Sequence, residues 1–312
     1  MSLPEERLCA VSVDLDPLRC YYAIHGLGDA PAALADVVLK RALPRFAEVF
    51  ARHGISATLF VVGSDVVQRG ATGRHELGQL AQAGHELANH SHTHPYDLAR
   101  LDEETIDHEV GQAEAAIGEV SGARVVGFRA PGYDVSEAML AVLSRRGYRY
   151  DSSVFPSWPY YAAKAGVMGA MRLLGRSSGS VLGDPRALLA PVEPYRPGRS
   201  PFSRGQGSVV ELPITVTRGL RLPGIGTAIL TAPTPLRVFL LDRLRARSFF
   251  NFELHGLDLL DAEADGIPAE LVARQHDLRV PVAAKLRALS ATIDRLRLDY
   301  RFATLAEVAE RH

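Results

Sequence analysis

Residues 84–95 read GHELANHSHTHP, with histidines at alternate positions 90, 92 and 94 and a fourth, His85, just upstream. Gly84 punctuates the end of a helical stretch, and a short strand leads into His90. Imidazoles four residues apart converge on one cation when they share a turn of backbone, and neutral histidine is a common zinc ligand. His90 and His94 have that spacing. The same pattern also occurs in idle His-rich loops, so the rest of the chain has to supply a third ligand and an acid/base set.

On either side of this stretch, short apolar runs alternate with longer helical patterns. Leu8 to Val13 reads as a strand, Ala33 to His53 as a helix, Ala57 to Val62 as a buried strand, and Glu76 to Ala83 as a helix ending at Gly84. After the strand before His90 come a helix over Asp102 to Val120, a strand over Val125 to Phe128, a helix over Ser136 to Arg146 and a strand over Tyr148 to Tyr150. Such alternation argues for parallel βαβ units. About seven repeats suit a closed or nearly closed β/α barrel, which places its chemistry at the C-terminal ends of its strands. The candidate groups obey that rule. Asp14 and Asp16 end the first strand, His90 and His94 follow the third, Arg129 the fourth and Asp151 the fifth, and His255 ends the apolar run from Phe249.

The length, 312 residues, allows one large α/β domain or two ordinary ones. Hydrophobic residues make up 47% and the formal charge is -1, so no global field points to nucleic acid or to an anionic membrane. No run reaches the roughly 18–20 apolar residues of a membrane span. The N-terminus lacks a stretch of signal-peptide type, from which a cytoplasmic address is expected. Cys9 and Cys20 are too few for a disulfide framework and read as reduced thiols.

Five ordered pieces, VSVDLD at 11–16, HSHTH at 90–94, FRAPGY at 128–133, YDSS at 150–153 and ELHG at 253–256, resemble the polysaccharide deacetylases of carbohydrate esterase family four, the NodB homology family. The resemblance spans most of the chain. It implies an α/β fold, a distorted (β/α)7-type barrel, as a single catalytic domain over 1–312 with a long insertion at about 155–208. The Asp-x-Asp form departs from the adjacent Asp-Asp pair of typical members and looks more like the subgroup that includes imide hydrolases.

A hydrolytic zinc site keeps three protein ligands and an open position, and Asp16, His90 and His94 make such a set. Zinc is the expected metal, and cobalt, nickel or iron accept the same ligands. Asp14, on the same strand face two residues earlier, is the candidate general base. Arg129 is expected to hold its carboxylate by a charge-assisted bond of one or two prongs. The family pattern makes the backbone N–H of Gly132, after Pro131, the oxyanion donor. It makes His255 the acid for the leaving amine, with Asp151 holding its imidazole. Pro131 and Tyr133 are expected at the substrate, the Tyr133 ring covering part of the space of the family's usual tyrosine. His25, His85 and His92 are read as structural or solvent-facing, His92 pointing away from the metal.

Between Phe155 and Ser208 the βα rhythm lapses. Tyr160 to Leu174 reads as an amphipathic helix, and the later apolar run LRLPGIGTAILTAPTPLRVFLL as a core strand and helix, with the strand around Val209 to Pro213 returning the chain to the barrel. A second reading of the apolar parts is a lid or groove for a lipid-linked substrate at the inner membrane surface. The expected activity is hydrolysis of an N-acetyl or N-formyl group on an amino sugar. The alternatives are ring opening of a cyclic imide or ureide, and a carbohydrate-binding module without catalysis.

Overall fold

The computed structural model describes residues 6–312 except Arg69, Leu174, Arg176 and Ala246, with the side chains of 70–72 also outside the description. Its centre is a curled parallel sheet of β1 (Leu8–Asp14), β2 (Thr58–Val61), β3 (Glu86–Asn89), β4 (Gly127–Phe128), β5 (Tyr150–Asp151), β6 (Val210–Glu211), β7 (Phe249–His255) and β8 (Arg301–Phe302). The strand order is β6-β5-β4-β3-β2-β1-β7, with β8 pairing the first residues of β1. The ladder is therefore open between β6 and β7. Side chains span that seam: Asn251 Nδ2 donates to the carbonyl of Leu212 (3.2 Å), and Thr215 Oγ1 accepts from the Asn251 N–H (2.7 Å).

Strand alternation sorts the residues. In β1, Cys9, Val11 and Val13 pack outward into the main apolar core under the helices, whereas Leu8 and Ala10 belong to a separate cluster inside the barrel. In β7, Phe250, Phe252 and Leu254 join the outer core and Phe249 the inner cluster. By the same period of two, Ser12, Asp14, Asn251, Glu253 and His255 share the inner face. Toward the strand ends the interior becomes polar, and there the parallel register sets Asp14 beside His255.

Helices α1 (Leu18–Ile24), α2 (Leu43–His53), α3 (Gly63–Gln68) and α4 (Gly70–Gln82) lie between the first three strands, and the longer helices after them follow their caps. In α5 (Glu103–Ser121) the Asp102 carboxylate accepts from the Thr105 N–H, Gly122 ends the helix at φ 64°, and Ile106, Val110, Ala113 and Ile117 form the buried face. Ser136 caps α6 (Glu137–Arg146) in the same way. The helix expected from Ala33 is broken: a 3-10 turn (Ala32–Leu34) and a π-helical stretch (Val38–Ala42) precede the α-helix Leu43–His53. The expected strand at Tyr148 to Tyr150 begins at Tyr150, because Gly147 and Tyr148 still close the α6 C-terminus, the Tyr148 N–H bonding to Leu143.

The insertion contributes α7 (Trp158–Leu173), matching the expected helix except that Leu174 lies outside the described residues. The apolar run after Leu220 forms two helices, α8 (Gly226–Thr231) and α9 (Thr234–Leu244), where a strand and a helix were expected. Pro233 separates them, and Pro235 occupies the first turn of α9, where a proline fits a helix start. Among the described helices none is long and apolar enough to cross a membrane.

Candidate active site

The HSHTH loop turns sharply after β3. Ser91 and His94 adopt φ values of 61° and 65°, a region that costs a non-glycine residue free energy. Neighbours fix the bend. Asn89 Oδ1 accepts from the Ser91 N–H (2.8 Å), Ser91 Oγ from the His94 N–H (3.1 Å), and Glu109 on α5 from the N–H groups of His92 (3.0 Å) and Thr93 (2.8 Å). Bent in this way, the loop points His90 and His94 at one place.

Asp16 Oδ1 lies 3.1 Å from His90 Nε2 and 3.3 Å from His94 Nε2, all three side chains buried. These donors lie within 4.8 Å of one another, close enough to share a metal ion. Asp16 Oδ1 and His94 Nε2 are buried without a hydrogen-bond partner, as expected of atoms committed to a cation. His90 Nδ1 sits 2.7 Å from the Arg129 carbonyl. A proton there leaves the Nε2 lone pair for the metal, the usual way a ligating histidine is oriented. The donor set of two imidazoles and a carboxylate fits zinc-type chemistry. Burial opposes charge on all three, yet His94 and His90 hold Asp16 well below the usual carboxylate range, while Cys20 and Asp16 lift His94 to about 9. A cation held here would take the place of the protons that these charges attract.

Asp14 stands beside this set, its Oδ2 3.9 Å from His90 Nε2. Burial, against the pull of Arg129 and His90, raises its pKa, which strengthens it as a base. Arg129 is fully buried over the Phe60 ring, with Nη1 2.6 Å from Asp14 Oδ1. The bond has one prong, because Nη2 is taken by Ser12 Oγ (3.0 Å) and Ser152 Oγ (2.9 Å) and Nε by the Ser152 carbonyl (2.9 Å).

His255 has a different carboxylate from the one expected. Its Nδ1 lies 3.0 Å from Glu253 Oε1, its Nε2 3.0 Å from the Tyr133 hydroxyl, and that hydroxyl donates to Glu253 Oε1 (2.9 Å). Burial alone pulls the imidazole pKa down, but Glu253 lifts it well above the usual histidine range. Asp151 is turned away. The β5–β6 register sets it opposite Glu211, and Ser153 Oγ donates to it (2.6 Å). Sequence reasoning missed Glu253, and the signal that could have found it is the 253/255 spacing, which puts both side chains on one face of a strand.

Gly132, at φ 72°, needs its missing side chain: a Cβ there would stand 3.1 Å from Cδ1 of Tyr96. The ring against Gly132 is therefore that of Tyr96, which also packs edge-on against His94 at 4.7 Å. Tyr133 instead points inward to Glu253 and His255. Pro131 is buried in the turn that leads to Gly132. His85 accepts from the Ala57 N–H (3.1 Å) and His25 pairs with Gln275 (3.0 Å), both structural, and His92 takes no part in the donor set.

Residues 30–150 match the family model described as Polysaccharide deacetylase. The chain is 24% identical over 163 residues to a peptidoglycan deacetylase of Helicobacter pylori, covering 51% of this chain and 54% of that one. It is 32% identical over 104 residues to a chitooligosaccharide deacetylase of Bradyrhizobium, covering 33% and 41%. The chain thus spans about half the length of the curated relatives it matches. The crystal structure of a putative polysaccharide deacetylase from Mycobacterium smegmatis superposes with a TM-score of 0.62 at 20% identity, over 100% of this chain and 92% of that one, and shows the same fold. Match and relatives together show that residues 30–150 and their flanks are similar to polysaccharide deacetylases.

Proposed function

We propose that the protein removes an N-acyl group, acetyl or formyl, from an amino sugar in a metal-dependent hydrolysis. The observation that carries this reading is the register of β1 and β7, which sets Asp14 beside His255 while Asp16, His90 and His94 gather their donor atoms next to Asp14. When bound by those three residues, a divalent metal, zinc by the donor set, supplies a Lewis acid that makes water nucleophilic at neutral pH. Asp14 Oδ2 takes the proton from the attacking water while Arg129 pins the other oxygen. The Gly132 N–H meets the oxyanion, and the His255 imidazolium gives its proton to the leaving amine. Pro131 and Gly132 shape the floor under the acyl group.

The relatives, a peptidoglycan deacetylase and a chitooligosaccharide deacetylase, favour an N-acetylated saccharide. The outward face of α7, with Trp158 and Leu173 52% and 90% exposed, is consistent with a lipid-linked precursor at the inner membrane surface. The Asp-x-Asp spacing keeps base and ligand on one strand end and serves either substrate class.

The test is acetate and formate release from a panel of N-acylated amino sugars, alongside ring opening of cyclic imides, before and after chelation. Chelator-sensitive release restored by zinc is expected. Imide opening without deacylation, or glycan binding with no turnover in the zinc-loaded protein, overturns the reading.

A further inference from the structure

Helix α7 lies outside the 30–150 family match and covers the mouth of the site, Tyr160 packing on Tyr133 (5.7 Å) and Phe155 (4.8 Å). Its sequence, WPYYAAKAGVMGAMRL, carries only two charges, Lys164 and Arg172. Arg172 is exposed, whereas Lys164 turns inward. The Lys164 ammonium is half-buried, donates to the Gly132 carbonyl at 3.4 Å, and lies 5.9 Å from the centre of the Tyr160 ring.

No carboxylate of the described residues forms an ion pair with it. Asp134 attracts it from farther off, but that carboxylate is engaged by the Asp184 N–H (3.1 Å), and Arg100 adds a second positive charge to the surroundings. Burial pulls the lysine down to about 8. A half-buried ammonium with one long hydrogen bond is under-satisfied, and it faces the residue whose N–H awaits the reacting carbonyl. An anion in that space would complete it.

We infer that Lys164 receives an anionic group of the substrate, a carboxylate or a phosphate carried by the amino sugar near its acylamino carbon. The inference rests on the deacylase reading for the identity of the sugar, and it names the class of sugar preferred.

The test compares zinc-loaded wild type, Lys164→Met and Lys164→Arg on N-acetylglucosamine, which is neutral, N-acetylmuramic acid, which carries a carboxylate, and N-acetylglucosamine 1-phosphate. Acetate release is measured with each, and binding of the two anionic sugars is measured by calorimetry. The wild type should prefer one anionic sugar, and which one distinguishes carboxylate from phosphate. Lys164→Met should shrink that preference about tenfold to a hundredfold through KM, the worth of one charge-assisted hydrogen bond, and Lys164→Arg should keep most of it. Equal losses on neutral and anionic sugars would assign Lys164 to the oxyanion and overturn the inference, as would a wild type without preference. If the wild type releases no acetate from any sugar yet binds an anionic one through Lys164, the deacylase reading falls and the anion site stands.

Discussion

Glu253 and His255 stand two residues apart on the inner face of β7, with the carboxylate 3.0 Å from Nδ1 of the imidazole. A strand repeats its facing every second residue, so the acid and the group that charges it are built into one stretch of backbone. Because Glu253 raises the His255 pKa, the imidazolium persists to higher pH than an isolated histidine. Glu253→Gln removes that lift. The alkaline limb of the kcat–pH profile should move to lower pH, and kcat at pH 8 should fall roughly tenfold to a hundredfold, within the range of general-acid effects. A limb that stays in place would exclude Glu253 as the group that charges His255.

Asp14→Asn keeps the size of the base but not its basicity. Turnover should drop about 10²–10⁴-fold, the contribution of a positioned general base, while elemental analysis still finds metal. His90→Ala should lose both metal and turnover. Loss of metal in Asp14→Asn would make Asp14 a ligand in place of a base.

The Arg129–Asp14 pair is fully buried. Removing one partner of such a pair typically costs about 3–5 kcal/mol because the other charge is left alone, roughly 5–8 °C in melting temperature for a chain of 312 residues. Arg129→Met should show that loss in thermal unfolding, and Arg129→Met with Asp14→Asn should regain part of it. Equal melting temperatures for single and double variants would mean that Asp14 is already neutral.

Asp151 and Glu211 form a buried acid pair away from the chemistry. Burial raises both, Asp151 to about 6 and Glu211 well above the usual carboxylate range. Raised folded-state values mean that protonation stabilises the fold fully below the ordinary carboxylate range, and that this contribution is lost as pH rises through about 6. Glu211→Gln supplies a permanent donor. Its melting temperature should fall less between pH 5 and pH 8 than that of the wild type, by roughly 1.5 °C for each kcal/mol at this chain length. Parallel curves would show that the pair does not titrate in that window.

That Asp14, Asp16, His90, His94, Arg129 and His255 come together could be read in the sequence because each follows or ends a strand in a barrel whose strands announce themselves as apolar runs. Asp151 misled because its role came from the family's pattern, while its partner is set by the β5–β6 register, which sequence spacing does not reveal. Tyr96 and Lys164 were invisible for the same kind of reason. One comes from the tail of the histidine loop and the other from a helix outside the βα rhythm, and only folding brings both to Gly132. The run after Leu220 is uniformly apolar, so periodicity could not separate strand from helix. Its prolines mark the boundary between two short helices.

Where β6 and β7 fail to pair, Asn251 Nδ2 reaches across to the Leu212 carbonyl and to Ser152 Oγ, and Ser152 in turn holds Arg129 against Asp14. The fastening of the seam and the seating of the base are thus one chain of bonds. Opening the barrel on that side disarms the base before any helix has to melt, which makes catalytic rate a gauge of barrel closure, more sensitive than any signal that reports helix content.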